Sequence, residues 1–331
     1  MSDQQLSLPV PYHETFQIYD SSKIKAFTEC PRAYFYRYVL GWTSDRPNNH
    51  LVFGTAFHKG MEQLLLGGYT IGSIDNAYSA FIGEYREIFP EETDVETFPK
   101  TPGMALRAFT MYTSVYAEDV KQFDVKHTEV WGMVLVNDQG RKLCFRIDAI
   151  VERNGYTIGL EHKTATKRTG TWEAQWDLAT QMFTYTHVLN SISDKSDGVI
   201  INGVFFYKGK QKAGDITFGR IPIRTNGNMM IARLWRVNWY VDMIEYNFKQ
   251  LSQCTDKDAV MRAFPPRECY CTAWYRTCPY HTFCRIWPNA LQHIDRVPAG
   301  MKCEFWDPRD YKTEAREVMD LSTKQTKIGA A

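Results

Sequence analysis

The chain has 331 residues, of which 44% are hydrophobic and 14% aromatic, so it is long enough to bury a substantial core. Lysine and arginine total 39 against 38 acidic residues, which excludes a general electrostatic attraction to a polyanion and leaves local basic patches for any nucleic-acid contact. No apolar run reaches the ~18 residues of a membrane-spanning helix. The N-terminus lacks a secretory signal, so we expect a cytoplasmic protein without a membrane partner.

The first part of the chain has the pattern of helices. Residues 21–38 predict a capped helix, an interruption at Cys30-Pro31 and an aromatic helix. Helical spacing continues from 54 to about 123 and encloses the proline-containing loop FPEETDVETFPKTPG. We interpret residues 54–123 as a helical insert.

The apolar period then changes to two, which predicts three strands of a meander, EVWGMVLV, RKLCFRIDAIVE and YTIGLEHK. A helix follows over about 173–190, and VIINGVFFYK and residues 216–224 predict two further strands. A long helix over 228–252 precedes the cysteine-rich segment, and we interpret residues 311–331 as a polar tail.

The hairpin between the second and third strands brings two acids together. If Asn154-Gly155 forms a two-residue loop, Arg153 pairs with Tyr156, and the same register places Asp148 opposite Glu161. The opposite face then carries the core residues Phe145, Ile147, Ala149, Val151, Ile158 and Leu160.

Two carboxylates that face each other across a strand pair repel by up to about 1 kcal/mol, and a divalent cation removes this penalty. Mg²⁺ held by such oxygens can activate water and stabilise charge on a phosphate. The alternative is a solvated charge ladder in which Lys163 and Arg146 neutralise the acids.

The order Asp148, then Glu161-His162-Lys163, resembles the D…(D/E)xK core of the PD-(D/E)XK nucleases. Gly54-Thr-Ala-Phe-His58 resembles the G…H segment of their RecB-like branch, which includes recombination nucleases and CRISPR-associated and phage exonucleases. Gln181-Met-Phe-Thr-Tyr185 matches the QxxxY motif of that branch. The sequence departs from the family pattern at Phe145, in a stretch where relatives often carry glycine.

The resemblance implies an α/β, restriction-endonuclease-like fold with a mixed central sheet flanked by helices. Residues 1–310 would form one RecB-like nuclease domain whose catalytic sheet core spans 126–224. Mg²⁺ or Mn²⁺ would be bound by His58, Asp148, Glu161 and the carbonyl oxygen of His162. The residues expected in catalysis are Asp148, Glu161, Lys163, which positions the attacking water, and Gln181 and Tyr185, which contact DNA. Taken singly, each has a structural explanation, such as a His58 that bonds to Glu62.

Four of the eight cysteines lie between residues 269 and 284. In a reducing compartment, such a cluster indicates a metal site rather than disulfide bonds. Cys30-Pro31 with Cys271, Cys278-Pro279 and Cys284 resembles the split iron–sulfur ligation of many RecB-like nucleases. A [4Fe–4S] cluster would thus close segment 264–290 onto Cys30. The open alternatives are Cys269 in place of Cys271, reduced structural thiols, and a zinc site of Cys271, Cys278 and Cys284 with His281 or Cys303.

The resemblance implies a metal-dependent DNA nuclease, an exonuclease on DNA ends or single strands, in recombination, repair, replication or phage DNA processing. The alternatives are a non-catalytic DNA-binding or assembly subunit and a zinc-stabilised interaction protein. No P-loop is present, so a helicase or a recombination or replication protein is an expected partner. Basic and aromatic residues that would suit single-stranded DNA are Lys23, Lys25, Arg32, Arg37, Lys163, Lys167, Arg168, Lys208, Lys210 and Lys212, with Tyr34, Tyr36, Trp172, Trp176 and Tyr207.

Overall fold

A computed structural model describes residues 7–209, 214–273 and 276–322 of the chain. Its helices are α1 (Ser21–Glu29), α2 (Pro31–Tyr34), α3 (Asn49–Gly67), α4 (Ile71–Arg86), α5 (Asp94–Thr97), α6 (Pro102–Val115), α7 (Asp119–Gln122), α8 (Gly170–Ala174), α9 (Thr180–Ile192), α10 (Gly227–Leu251), α11 (His281–Ile286) and α12 (Tyr311–Glu314). Its strands are β1 (Trp42–Ser44), β2 (Asp124–Leu135), β3 (Lys142–Arg153), β4 (Tyr156–Ala165), β5 (Ser196–Tyr207), β6 (Asp215–Ile223), β7 (Met301–Cys303) and β8 (Glu317–Leu321).

The chain divides into two compact units, each assembled from separate stretches of sequence. The first consists of Met1–Arg46, Met133–Cys144 and Ile231–Asp310. The second consists of Pro47–Gly132, Phe145–Met230 and Tyr311–Ala331. No helix in the described residues combines the length and the apolar content needed to cross a membrane.

A six-stranded sheet in the order β6-β5-β4-β3-β2-β8 forms the centre of the α/β fold. Strands β3 and β4 are antiparallel, β4 and β5 are parallel, and β5 and β6 are antiparallel, which confirms the predicted mixed sheet. The hairpin register is also as predicted, because Arg153 pairs with Tyr156 and Ala149 with Leu160. One further step along this register places Asp148 opposite Glu161.

Helices α3, α4 and α6 pack against β5 and β6 around an aromatic core that includes Phe53, Phe57, Phe81, Phe109 and Phe206. Helix α3 begins where Asn48 caps the N–H of His50 at 2.9 Å and ends before Gly68, whose φ of 62° suits glycine. The stretch interpreted as a helical insert therefore shares its core with the sheet.

The first unit contains a second aromatic core, in which Tyr36 stacks on Trp42 with 5.6 Å between ring centroids. The hydroxyl of Tyr280 donates to the carbonyl of Trp42 at 2.6 Å. Strands β1 and β7, which the sequence does not predict, form a small antiparallel sheet.

The prediction of a DNA-binding patch is wrong for four of its residues, which are buried in the first unit. Lys23 is 0% exposed and donates to the carbonyl of Ile18 at 2.8 Å, while Arg32 is 4% exposed and donates to the carbonyl of Phe264 at 2.8 Å. A buried cation must be satisfied by protein acceptors, so these side chains serve folding. Tyr34 and Tyr36 are likewise buried. Lys210 and Lys212 lie outside the described residues.

The segment interpreted as a polar tail contains β8, which pairs at the edge of the sheet next to β2. The N–H of Arg316, just before β8, donates to the carbonyl of Glu129 at 3.1 Å. Residues 323–331 lie outside the described part of the chain.

Candidate active site

Asp148, on β3, is held through both carboxylate oxygens. Its Oδ1 lies 3.0 Å from Nδ1 of His58 on α3, and its Oδ2 accepts the N–H of His162 at 2.7 Å. Burial alone would raise the pKa of Asp148, but the charge and hydrogen bond of His58 hold that pKa far below its usual range. Asp148 is therefore an anion at neutral pH, and its contact raises the pKa of His58 against the effect of burial.

Glu161, on β4, is only 1% exposed. Its Oε1 accepts from the ammonium of Lys163 and, at 3.0 Å, from Nε2 of Gln181. Its Oε2 is buried and has no hydrogen-bond partner in the described residues. Burial, followed by the charge of Asp148, raises the pKa of Glu161 to about 7. A buried carboxylate oxygen without a partner is costly, and a bound cation would satisfy it.

Glu129, on β2, is a member of the site that the sequence analysis does not identify. One of its carboxylate oxygens, one of Asp148 and a ring nitrogen of His58 all lie within 4.8 Å of one another. Arg146 donates to its Oε2 from Nε at 2.9 Å and from Nη2 at 2.7 Å. The signal in the sequence is a lone acid that begins the apolar run EVWGMVLV, and nothing local distinguishes it from a solvated strand end.

Gln181 and Tyr185 lie one turn apart on α9, as the QxxxY spacing predicts. Nε2 of Gln181 lies 2.8 Å from the hydroxyl of Tyr185, and that hydroxyl donates to the main-chain carbonyl of Arg146. The hydrogen bonds of both side chains thus go to residues of the site itself, and they link Glu161 to the arginine that holds Glu129.

Trp176, between α8 and α9, lies beside Lys163. The ammonium of Lys163 is 5.5 Å from the ring centroid of Trp176, which is within cation–π range. Trp172 contacts Trp176 edge-on, with 5.7 Å between centroids, and packs against Phe205. These two tryptophans are the part of the predicted basic and aromatic patch that the structure brings close to Lys163.

His162, which follows Glu161 on β4, is buried. Both ring nitrogens are buried and have no hydrogen-bond partner among the described residues. Burial lowers the pKa of His162 to about 3, so the ring is neutral. His58 bonds to Asp148, whereas Glu62 bonds to Thr128 at 2.9 Å and to Arg316, so the alternative in which Glu62 satisfies His58 is wrong.

All eight cysteines lie in the first unit. The N–H of Arg267 donates to Sγ of Cys30 at 3.4 Å, which brings the upstream cysteine to the C-terminal cysteine segment. The N–H of Cys278 donates to the carbonyl of Cys271 at 2.8 Å. Burial raises the pKa of Cys284 to about 11; Arg32 opposes this effect, and the thiols of Cys30, Cys278 and Cys271 add to it. Cys269 is exposed.

The second unit thus joins a histidine and three buried carboxylates, a donor set suited to a hard divalent cation, to a lysine. Such an arrangement can support hydrolysis of a phosphate ester, because the cation and the ammonium both stabilise negative charge.

Comparison with known proteins identifies a family whose model matches most of the chain. A family model described as the PD-(D/E)XK nuclease superfamily matches residues 21–285. Among solved structures, a candidate exonuclease from Eubacterium rectale is similar at 12% identity over 76% of this chain and 86% of that one, with a TM-score of 0.40. The protein SSO0001 is similar at 16% identity over 49% of this chain and 69% of that one, with a TM-score of 0.23. No curated protein matches.

Proposed function

Because the chain belongs to the PD-(D/E)XK nuclease superfamily, we propose that it is a metal-dependent deoxyribonuclease that degrades DNA from ends or in single-stranded regions. The observation that supports this proposal best is the convergence of His58, Glu129 and Asp148 within 4.8 Å, together with a buried Glu161 oxygen that has no hydrogen-bond partner among the described residues. The exonucleolytic mode follows the motif order shared with the RecB-like branch.

The residues fit a Mg²⁺ or Mn²⁺ ion, because carboxylate oxygens and one imidazole are ligands that these ions accept. We assign the protein ligands to His58, Glu129, Asp148 and Glu161, with the carbonyl of His162 as a further candidate. When bound, the ion supplies Lewis-acid stabilisation of the phosphate and lowers the pKa of water.

The chain's own residues position the reacting groups. Lys163 is held between Oε1 of Glu161 and the ring of Trp176, so its ammonium is oriented to hold the attacking water against the phosphate. Gln181 fixes the same Glu161 oxygen at 3.0 Å. These contacts place the lysine before substrate binds, which lowers the entropic cost of reaching the transition state.

End-labelled single- and double-stranded DNA incubated with Mg²⁺, Mn²⁺ or EDTA tests the proposal. Wild-type protein should degrade DNA only with metal, and Glu161→Ala and Lys163→Ala should each lower the rate at least about a hundredfold. Glu118→Ala is the matched control, since this glutamate is 67% exposed and pairs with Lys121 on the surface. Folded wild-type protein that cleaves neither substrate would favour the alternative, a DNA-binding or assembly subunit.

We also propose that Cys30, Cys271, Cys278 and Cys284 hold a [4Fe–4S] cluster with a structural role. Cys271 is preferred over Cys269 because it is partly buried and its pKa is raised by burial and then by Cys30, whereas Cys269 is exposed. Tetrahedral zinc requires sulfurs about 3.8 Å apart. Within residues 7–209, 214–273 and 276–322, no three cysteine sulfurs converge within 4.8 Å. The preference for iron–sulfur over zinc rests on the resemblance of Cys30-Pro31 and the C-terminal cysteines to the split ligation of RecB-like nucleases.

A further inference from the structure

The exposed face of α10 carries two tryptophans that have no role in either proposed metal site. Trp235 is 66% and Trp239 is 45% exposed, more than any other tryptophan in the described part of the chain. They lie four residues apart and therefore on one helix face. Because tryptophan gains much from burial, two neighbouring exposed rings indicate a binding surface rather than a solvated one.

The two rings are arranged to accept another planar ring. Their planes differ by 17° and their centroids are 6.5 Å apart. This separation lies within the range of offset-stacked aromatic pairs, so the two rings form one aromatic surface. Because both rings are largely exposed, the pair can accept a further planar ring.

The local charge favours an anionic ligand. Between residues 225 and 241 the chain contains Arg233 and Arg236 and no acidic residue. The acids begin at Asp242 and Glu245, where Arg141 forms ion pairs of 2.7 and 3.3 Å with them. Arg233 is buried and Arg236 is half-buried, so the positive charge near the rings comes mainly from Arg236, and the acids that follow are partly neutralised.

We propose that Trp235 and Trp239 form a stacking site for the unpaired bases of single-stranded nucleic acid, with Arg236 close to the phosphate backbone. Stacking accepts any base because every base has a π-face. Bases inside a duplex already stack on each other, so the site selects single strands. This inference rests on the proposed function only for the identity of the ligand.

The test measures binding in EDTA, where metal-dependent cleavage is off, using a fluorescent oligothymidylate and the same sequence as a duplex. Trp235→Ala and Trp239→Ala should each weaken single-strand binding about tenfold, while duplex binding changes less than about twofold. Trp235→Phe and Trp239→Phe should restore most of the affinity, because phenylalanine also stacks. The matched control is Tyr246→Ala, since Tyr246 is 53% exposed on the same helix beyond the acids.

Unchanged single-strand affinity in the double alanine variant overturns the proposal, and so does an equal loss for the duplex. Loss of self-association in size-exclusion chromatography, or of binding to phosphatidylglycerol vesicles, with DNA binding intact would assign the face to a second copy or a lipid surface and would also overturn it. If the protein binds single strands through these tryptophans but never cleaves DNA, the stacking site is supported. In that case only the proposed nuclease function is contradicted.

Discussion

Glu129 combines two features that are unfavourable for an isolated glutamate. Its φ of 47° is a left-handed conformation that costs a non-glycine residue about 1 kcal/mol or more. Burial and then the neighbouring Asp148 raise its pKa, which means that its charge is poorly tolerated in the absence of a cation. Arg146 offsets part of that effect. Strain at a buried acid beside two other candidate ligands is what a site built for a cation would show.

A Glu129→Gln variant tests this interpretation. The amide keeps an oxygen that can accept from Arg146 but loses the charge, so Mn²⁺ affinity measured by calorimetry without DNA should fall about tenfold, as losses at metal-site residues do. The melting temperature of the metal-free protein should stay the same or rise, because the charge of one of the three crowded carboxylates is removed.

Glu62→Gln is the control for that experiment, because Glu62 bonds to the adjacent Thr128 and lies outside the three-residue group. If Glu129 only supports Arg146, its variant lowers the melting temperature and leaves Mn²⁺ affinity unchanged. That result would remove Glu129 from the ligand set.

Glu161 predicts a pH dependence of the metal-free protein. Its pKa is about 7 in the fold against a reference of 4.5, so the folded state binds more protons than the unfolded state between these values. Stability therefore falls as pH rises through this window, by an amount on the order of a few kcal/mol. In EDTA, the melting temperature of wild type should drop between pH 5 and pH 8 relative to Glu161→Gln.

Added Mn²⁺ should abolish that drop, because the cation favours the ionised carboxylate. Parallel pH profiles for wild type and Glu161→Gln in EDTA would show that Glu161 ionises as freely in the fold as in the unfolded chain.

At the scale of elements, the close packing of β8 at the edge of the sheet depends on one glycine of β2. A Cβ on Gly132 of β2 would overlap the carbonyl oxygen of Met319 in β8 and the ring of Phe145. The same glycine thus admits β8 at the sheet edge and leaves space for Phe145, the position at which this sequence departs from the family pattern. The aromatic ring at 145 is tolerated because the neighbouring strand has no side chain at that point.

We expect Gly132→Ala to lower the free energy of unfolding by about 1–3 kcal/mol, the usual cost of overpacking. Gly83→Ala, in α4, is the matched control because a Cβ there meets nothing within 4 Å. It should leave stability unchanged or raise it by up to about 1 kcal/mol, through helix propensity. Urea denaturation measures both, and equal effects at the two positions would contradict the packing argument.

The elements differ in how far they could be predicted from sequence. The β3–β4 hairpin was predictable to the residue, since Asn154-Gly155 fixes the turn and the alternating pattern fixes the register. Strand β8 was not, because its pairing with β2 depends on residues almost 200 positions apart and its five residues lie within an otherwise polar segment. Glu129 could not be identified from the sequence for the same reason, since only the folded sheet brings it to His58 and Asp148.

At the scale of the whole molecule, the cysteines lie in one of two discontinuous units. We expect Cys30→Ser to remove most of the iron and sulfide from anaerobically purified protein, since thiolates are the cluster ligands. The control is Cys254→Ser, a buried cysteine that bonds to the carbonyl of Gln250 at 3.3 Å and should leave iron unchanged. Zinc without iron in the wild type would instead support the zinc alternative.

The discontinuity of the first unit also determines when it can form during synthesis. Arg32 packs against Phe264 and Cys30 against Arg267, so the early segment lacks its partners until more than 230 further residues have been made. At about 5–20 residues per second, this delay is on the order of 10 to 50 seconds. During that time the apolar side chains of α1 and α2 remain uncovered on the nascent chain. Chaperone occupancy on ribosomes should therefore begin early and end only after the cysteine segment has emerged.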